Sequence, residues 1–191
     1  MGKIAVSQNV SLDGVMQSPG STDVPFKYRG WAVDFDGGPE SDRFQLEQAQ
    51  NAGALLLGRV TYEAMQAFWP ATEGEFADRL NELPKYVVSS TLTDLPWNAT
   101  VLGDDWPGVV ARLRKELNSD ILVYGSRRLA RALIGMGLVD ELRLLVYPVV
   151  LGAGDRLFGE TEDKIPLRLV ESRPLEGGLV GMIYAPARAD G

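Results

Sequence analysis

Apolar positions along the chain alternate between the two-residue spacing of strands and the three-to-four-residue spacing of helices. Ile4 to Val10 is a short β-prone run, broken by Ser11-Leu12-Asp13-Gly14, whose Asp-Gly pair supplies turn chemistry. Residues 17–39 are rich in Ser, Pro, Gly and Asp and read as a long loop, a feature that in compact domains tends to be functional. A helical pattern follows from Glu40 to Asn51, with Gly53 as its expected stop. Ala54-Leu55-Leu56-Leu57 is continuously apolar, as in a strand covered on both faces, and ends in Gly58-Arg59-Val60-Thr61. Val60, Ala64 and Phe68 are the expected inner face of the next helix, which Trp69-Pro70 ends; Phe76, Leu80 and Leu83 mark a second short one before Pro84.

Tyr86-Val87-Val88 reads as the next strand and ends in Ser89-Ser90-Thr91; a turn-rich stretch separates it from a helix carrying Val109, Leu113 and Leu117. Ile121 to Tyr124 is a third apolar strand, broken by Gly125-Ser126 and followed by a helix with Leu129, Ala130, Leu133 and Ile134 inward. Leu142 to Leu151 is a long β-prone run with Pro148 inside it, closed by Gly152-Ala153-Gly154. Leu167 to Val170 and Leu179 to Tyr184 frame Gly177-Gly178 as a hairpin. Strand and helix therefore alternate for two thirds of the chain, and strands alone finish it. That order predicts an α/β fold: a mostly parallel sheet, helices on both faces, and an antiparallel C-terminal edge.

Composition narrows the chemistry more than it narrows the fold. The 191 residues, 45% hydrophobic, predict one domain over 1–191, and no apolar stretch approaches the length of a membrane span. The chain has no Cys and no His. That excludes disulfides, thiolate nucleophiles, zinc fingers, the Ser-His-Asp triad and any imidazole acid or base. A net charge of −7 without a Lys/Arg run argues against a nucleic-acid track. The N-terminus lacks a signal-peptide core, so the expected compartment is the cytoplasm, and the Asn-x-Ser/Thr matches at Asn9 and Asn98 read as chance.

In an open α/β sheet, ligands bind beyond the carboxyl ends of the strands. Three such ends, Gly58 to Thr61, Ser89 to Thr91 and Gly125 to Arg128, combine small residues with hydroxyls or a guanidinium. Two of them open helices, whose first N–H groups attract anions, and Arg holds phosphate oxygens bidentately. The same residues also suit ordinary turns and caps. Neither the Gly-x-Gly-x-x-Gly nor the P-loop pattern occurs.

Ser11-Leu12-Asp13-Gly14, Leu57 to Glu63, Val88 to Thr91 and Val123 to Ser126, in this order, resemble the dihydrofolate-reductase-like family. Gly137 to Leu142 with Pro148 to Gly152 is similar to one branch of it: the reductase domain of the bifunctional riboflavin-biosynthesis deaminase–reductase and its stand-alone relatives. The resemblance spans Ile4 to Tyr184 and implies a three-layer fold, NADPH as cofactor, a homodimer, and a pteridine or ribosylaminouracil-like substrate. Carried over, Gly58, Arg59 and Thr61 would meet the pyrophosphate and adenosine-side phosphate, and Ser89 and Ser90 the 2′-phosphate. Gly125, Ser126 and Arg127 would meet the pyrophosphate and nicotinamide ribose. The family's pteridine-binding carboxylate lies on the helix after the first strand, where this chain offers Asp34, Asp36, Glu40 and Asp42. Asp36 and the turn residue Asp13 are the catalytic candidates, and Trp31, Phe35 and Trp69 are candidate walls for a planar ring. Gly152 and Gly154 would line the pocket mouth or merely turn the chain.

Two departures follow. Gly125-Ser126 stands where dihydrofolate reductases carry paired glycines, and the deaminase half needs a His/Cys zinc site that this chain cannot build. A catalytically inactive nucleotide binder on the same fold, and a hydrolase using the carboxylates of residues 34–42, are the alternatives to a reductase.

Overall fold

The computed structural model describes residues 2–20, 25–93, 95–161 and 163–187. Its strands are β1 (Ile4–Ser11), β2 (Ala52–Gly58), β3 (Lys85–Val88), β4 (Ala99–Leu102), β5 (Asp120–Tyr124), β6 (Glu141–Tyr147), β7 (Leu167–Pro174) and β8 (Val180–Pro186). Its helices are α1 (Gly38–Asn51), α2 (Arg59–Phe68), α3 (Glu75–Glu82), α4 (Trp106–Glu116) and α5 (Arg127–Gly135). One sheet runs in the order β4-β3-β2-β5-β1-β6-β8-β7. The first six strands are parallel, and β8 pairs antiparallel with both β6 and β7.

Right-handed crossovers that travel in opposite directions along a sheet must lie on opposite faces. Ala49, Tyr62 and Leu80 of α1, α2 and α3 accordingly pack on Leu55, Leu57 and Leu122. Val110, Leu129 and Leu133 of α4 and α5 pack on Ile4, Val6, Leu56 and Val123 on the other side. Leu55, Leu56 and Leu57 are all completely buried, which explains why this strand shows no polar alternation. The expected α/β architecture with its antiparallel edge is present.

Several local expectations change. The inner face of α2 is not Val60, Ala64 and Phe68, which are exposed. The opposite stripe turns inward: Tyr62 is buried, with its hydroxyl donating to the Pro96 carbonyl at 2.5 Å, and Met65 and Trp69 pack beside it. Both stripes are apolar, and the larger aromatic one with a buried polar anchor wins. Helix α1 starts two residues early because Pro39 fits its first turn. Gly53 does not stop that helix; it lies within β2, where a Cβ would clash with Ser119 Oγ. The turn-rich stretch after β3 conceals β4, and β6 ends at Tyr147, ahead of Pro148.

Lys85 opens β3 with only 1% of its surface exposed. Its Nζ donates to the Asn81 carbonyl at 2.8 Å and lies 4.2 Å from the centroid of the Trp97 ring. Burial lowers its pKa to about 8, so between pH 8 and 10.5 the unfolded chain binds more protons than the folded one. Lys85 therefore penalises folding below pH 8 and ceases to do so as pH rises through that window. Chemical denaturation of the wild type and Lys85→Met should show the wild type gaining stability relative to the variant between pH 8 and 10.5. A difference that stays constant across that range would contradict this reading.

Candidate functional site

The carboxyl ends of β2 and β5 are sewn together by side chains. The Gly58 N–H donates to Ser126 Oγ at 2.8 Å, and the Ser126 N–H donates to Thr61 Oγ1 at 2.8 Å. Gly125 and Ser126 both take left-handed backbone, φ +52° and +57°, which turns the chain sharply from β5 into α5. A Cβ on Gly125 would lie 3.0 Å from the Thr61 methyl, so glycine there answers both conformation and space. Gln8 Nε2, reaching across from β1, donates to the Gly125 carbonyl at 2.6 Å.

This seam leaves two helix N-termini side by side, and neither α2 nor α5 has a side-chain cap or an acidic residue in its first turn. Uncapped N–H groups and the positive ends of the helix dipoles thus face the same edge, an arrangement suited to a diphosphate. Arg59 Nη1 donates to Thr91 Oγ1 at 2.9 Å, linking the β2 end to the loop after β3, while its Nε pairs with Glu63 at 3.0 Å. In that loop Ser89 Oγ accepts the N–H groups of Thr91 and Leu92 at 3.2 and 3.1 Å, and Ser90 is exposed. The three strand ends singled out in the sequence therefore form one continuous surface. Arg127 is the exception in its bonding: Nη1 pairs with Asp155 at 2.6 Å, a partner that nothing in the spacing of the motifs announced.

Asp13 occupies the turn after β1, but its carboxylate is already engaged. Ser11 Oγ and the Leu151 N–H donate to Oδ1 at 2.7 and 3.1 Å; the Gly152 N–H and Arg156 donate to Oδ2 at 3.0 and 3.3 Å. The Ser11 hydroxyl, with the two N–H groups, outweighs partial burial and lowers the pKa to about 2. The turn is also fastened through the backbone: Leu12 donates to Val149, Met16 to Asp155, and Leu157 to Gly14, at 2.8 to 2.9 Å. Asp13 and Gly152 thus meet in a clamp between two loops.

Asp34, Asp36, Glu40 and Asp42 are all exposed. Asp36 Oδ1 accepts the Gly38 N–H at 2.9 Å as the chain enters α1, and Glu40 pairs with Arg43 at 3.0 Å. The face of α1 turned to the sheet instead carries Ser41, Phe44, Gln48 and Ala49. Trp31 and Phe35 come together, both edge-to-face on Tyr147 at 5.2 and 5.9 Å, whereas Trp69 belongs to a separate aromatic group with Phe68 and Phe76. Tyr147, at the end of β6, was missed because a Tyr in an apolar run gives no signal of its own. Among the described residues no three His, Cys, Asp or Glu side chains cluster to hold a metal, and no helix is long and apolar enough to cross a membrane.

The Asp13 clamp yields a prediction. Its contribution to stability is complete above the ordinary carboxylate pKa of 3.8 and is lost as pH falls toward 2. Asp13→Asn should therefore lower stability at pH 7 by ~1–3 kcal/mol. Denaturation midpoints of the two proteins should converge between pH 4 and 2; parallel profiles would argue against the clamp.

Known proteins resemble this chain over most of its length. The uncharacterized protein YyaP of Bacillus subtilis is 33% identical over 135 residues, covering 68% of this chain and 72% of its own. A putative riboflavin biosynthesis protein from Shewanella sp. PV-4 superimposes with a TM-score of 0.77 at 20% identity, over 97% and 99% of the two chains. Dihydrofolate reductase from Enterococcus faecalis, complexed with NADP(H), gives 0.65 at 17% identity, over 97% and 96%. These structural likenesses establish a reductase-like fold. Residues 3–180 match the RibD C-terminal domain, and the chain belongs to that family.

Proposed function

We propose that the protein is an NADPH-dependent reductase acting on a small heterocycle, with the cofactor laid across the ends of β3, β2 and β5. The observation that carries this reading is the β2–β5 seam, where two uncapped helix N-termini converge beside Arg59. Gly58, Thr61, Gly125 and Ser126 would hold the pyrophosphate through backbone N–H groups and short side chains. Ser89, Ser90 and Arg59 would meet the 2′-phosphate, with Thr91 already aligning the guanidinium. Arg127 would exchange Asp155 for a phosphate oxygen or remain as a wall of the site.

NADPH supplies the hydride when bound, so the protein's task is to orient both reactants and exclude water. The absence of His and Cys is no obstacle to that task. Asp13, held ionised by its partners, serves as the positioning group that fixes the loops at the end of β1. The family and the fold of its relatives support a reductase.

Titration with NADPH and with NADH, followed by quenching of the four tryptophans, tests the cofactor. NADPH should bind more tightly than NADH, and Arg59→Ala should weaken NADPH by about ten-fold or more, as expected for one charge-assisted phosphate contact. Absence of binding by either nucleotide would refute the reductase. Sustained NADPH oxidation on a heterocycle panel would then distinguish an enzyme from a binder.

A further inference from the structure

A polar side chain buried among apolar ones loses its hydration, so the bond it makes inside shows what it is there to hold. Gln8 is 4% exposed on β1, and Val6 and Val10, its neighbours on that side of the sheet, belong to the apolar core. Its Nε2 donates to the Gly125 carbonyl at 2.6 Å, just beyond Ser7 and Tyr124, the last pair of the β1–β5 ladder. Where the ladder stops serving β5, a side chain takes over.

The Gly125 carbonyl and the Ser126 N–H belong to one planar peptide unit. Thr61 Oγ1 accepts from the N–H at 2.8 Å, and Gln8 donates to the carbonyl, so α2 and β1 grip the two sides of the same plane. Both flanking residues are left-handed, φ +52° and +57°, a state disfavoured for Ser126 with its Cβ. Half a turn of the peptide would take Ser126 out of that region, break both bonds, and bring the carbonyl oxygen round to the side of Thr61. Ser126 is also the N-cap of α5, whose first hydrogen bond runs from the Ala130 N–H to the Ser126 carbonyl. The N–H groups of Arg127, Arg128 and Leu129 are therefore the unpaired donors of this helix start. A flipped peptide would set an acceptor at the edge where α2 and α5 offer donors, and an anion there would meet it with repulsion.

We propose that Gln8 is a positioning residue for the cofactor. It locks the Gly125–Ser126 peptide with its carbonyl turned inward, so that the start of α5 presents donors alone to the nicotinamide-side phosphate. This rests on the reductase reading and adds to it a residue that touches no ligand and acts through the turn.

Calorimetric titration of the full chain with NADPH and with adenosine 2′,5′-bisphosphate tests the proposal. The bisphosphate carries the groups that Ser89, Ser90 and Arg59 would meet and lacks the nicotinamide-side phosphate. Gln8→Met and Gln8→Glu keep the length of the side chain and remove the donor at neutral pH; Thr61→Val removes the acceptor on the other side. Each should weaken NADPH about ten-fold and leave the bisphosphate within about two-fold of the wild type. Gln8→Met combined with Thr61→Val should weaken NADPH little more than either alone, because both release the same peptide. The proposal is overturned if the Gln8 variants weaken both ligands alike, or if they lower the melting temperature while NADPH affinity holds. It is equally overturned if the effects of the two substitutions add. A wild-type chain that binds neither ligand would refute the reductase reading and this proposal with it, a result told apart because it needs no substitution.

Discussion

The crossed hydrogen bonds between Gly58, Ser126 and Thr61 are the constraint from which the rest of the candidate site follows. They join two parallel strands at the point where each gives way to a helix, so their geometry sets the positions of α2 and α5 together. Thr61 binds the Ser126 N–H and also crowds the place a side chain on Gly125 would occupy. Ser126 accepts the left-handed backbone that a β-carbon disfavours, and its hydroxyl and amide are both used in the seam. A residue held in such backbone indicates that surrounding contacts over-determine it. Here the contacts are those that aim two sets of free N–H groups at one edge.

The opposite end of the same sheet is arranged on a different principle. Arg143, 7% exposed, lies on the α1-facing side and is matched by Glu141 at 2.7 Å and Asp120 at 2.6 Å; Lys3 closes the network on Glu141. Removing one partner from such a buried network leaves an uncompensated charge, so each member is constrained by the others. Ser7 and Arg143 are register partners on neighbouring strands. On its other side Ser7 faces Tyr124, whose phenol burial keeps neutral.

The sequence made the sheet and the three strand ends legible because their signals are local. Continuous apolar runs mark parallel strands, and each run is followed by some combination of Gly, Ser, Thr and Arg. The inner face of α2 was not legible, because Val60-Ala64-Phe68 and Tyr62-Met65-Trp69 are equally good apolar stripes and only tertiary packing chooses between them. β4, four residues within turn chemistry, has too little length to show a period. The acidic residues of 34–42 looked functional by composition, yet a carboxylate's usefulness depends on which side of α1 it occupies. Gln48, Tyr124 and Tyr147 gave no signal, since polar atoms inside apolar runs become informative only when their partners can be counted.

Asp155 shows why a catalogue of motifs cannot stand in for the geometry. Its carboxylate holds Arg127 at the start of α5, its carbonyl takes the Met16 N–H, and its own N–H goes to Gln17 Oε1 at 3.0 Å. One residue thereby connects the helix N-terminus beside the seam to the loop that leaves β1. The loop is further tied by Asp13 and by the hydrogen bonds of Leu12 and Leu157. Disturbing Asp155 thus strains several hydrogen bonds at once. The start of α5 and the loop after β1 are joined by a fixed clamp.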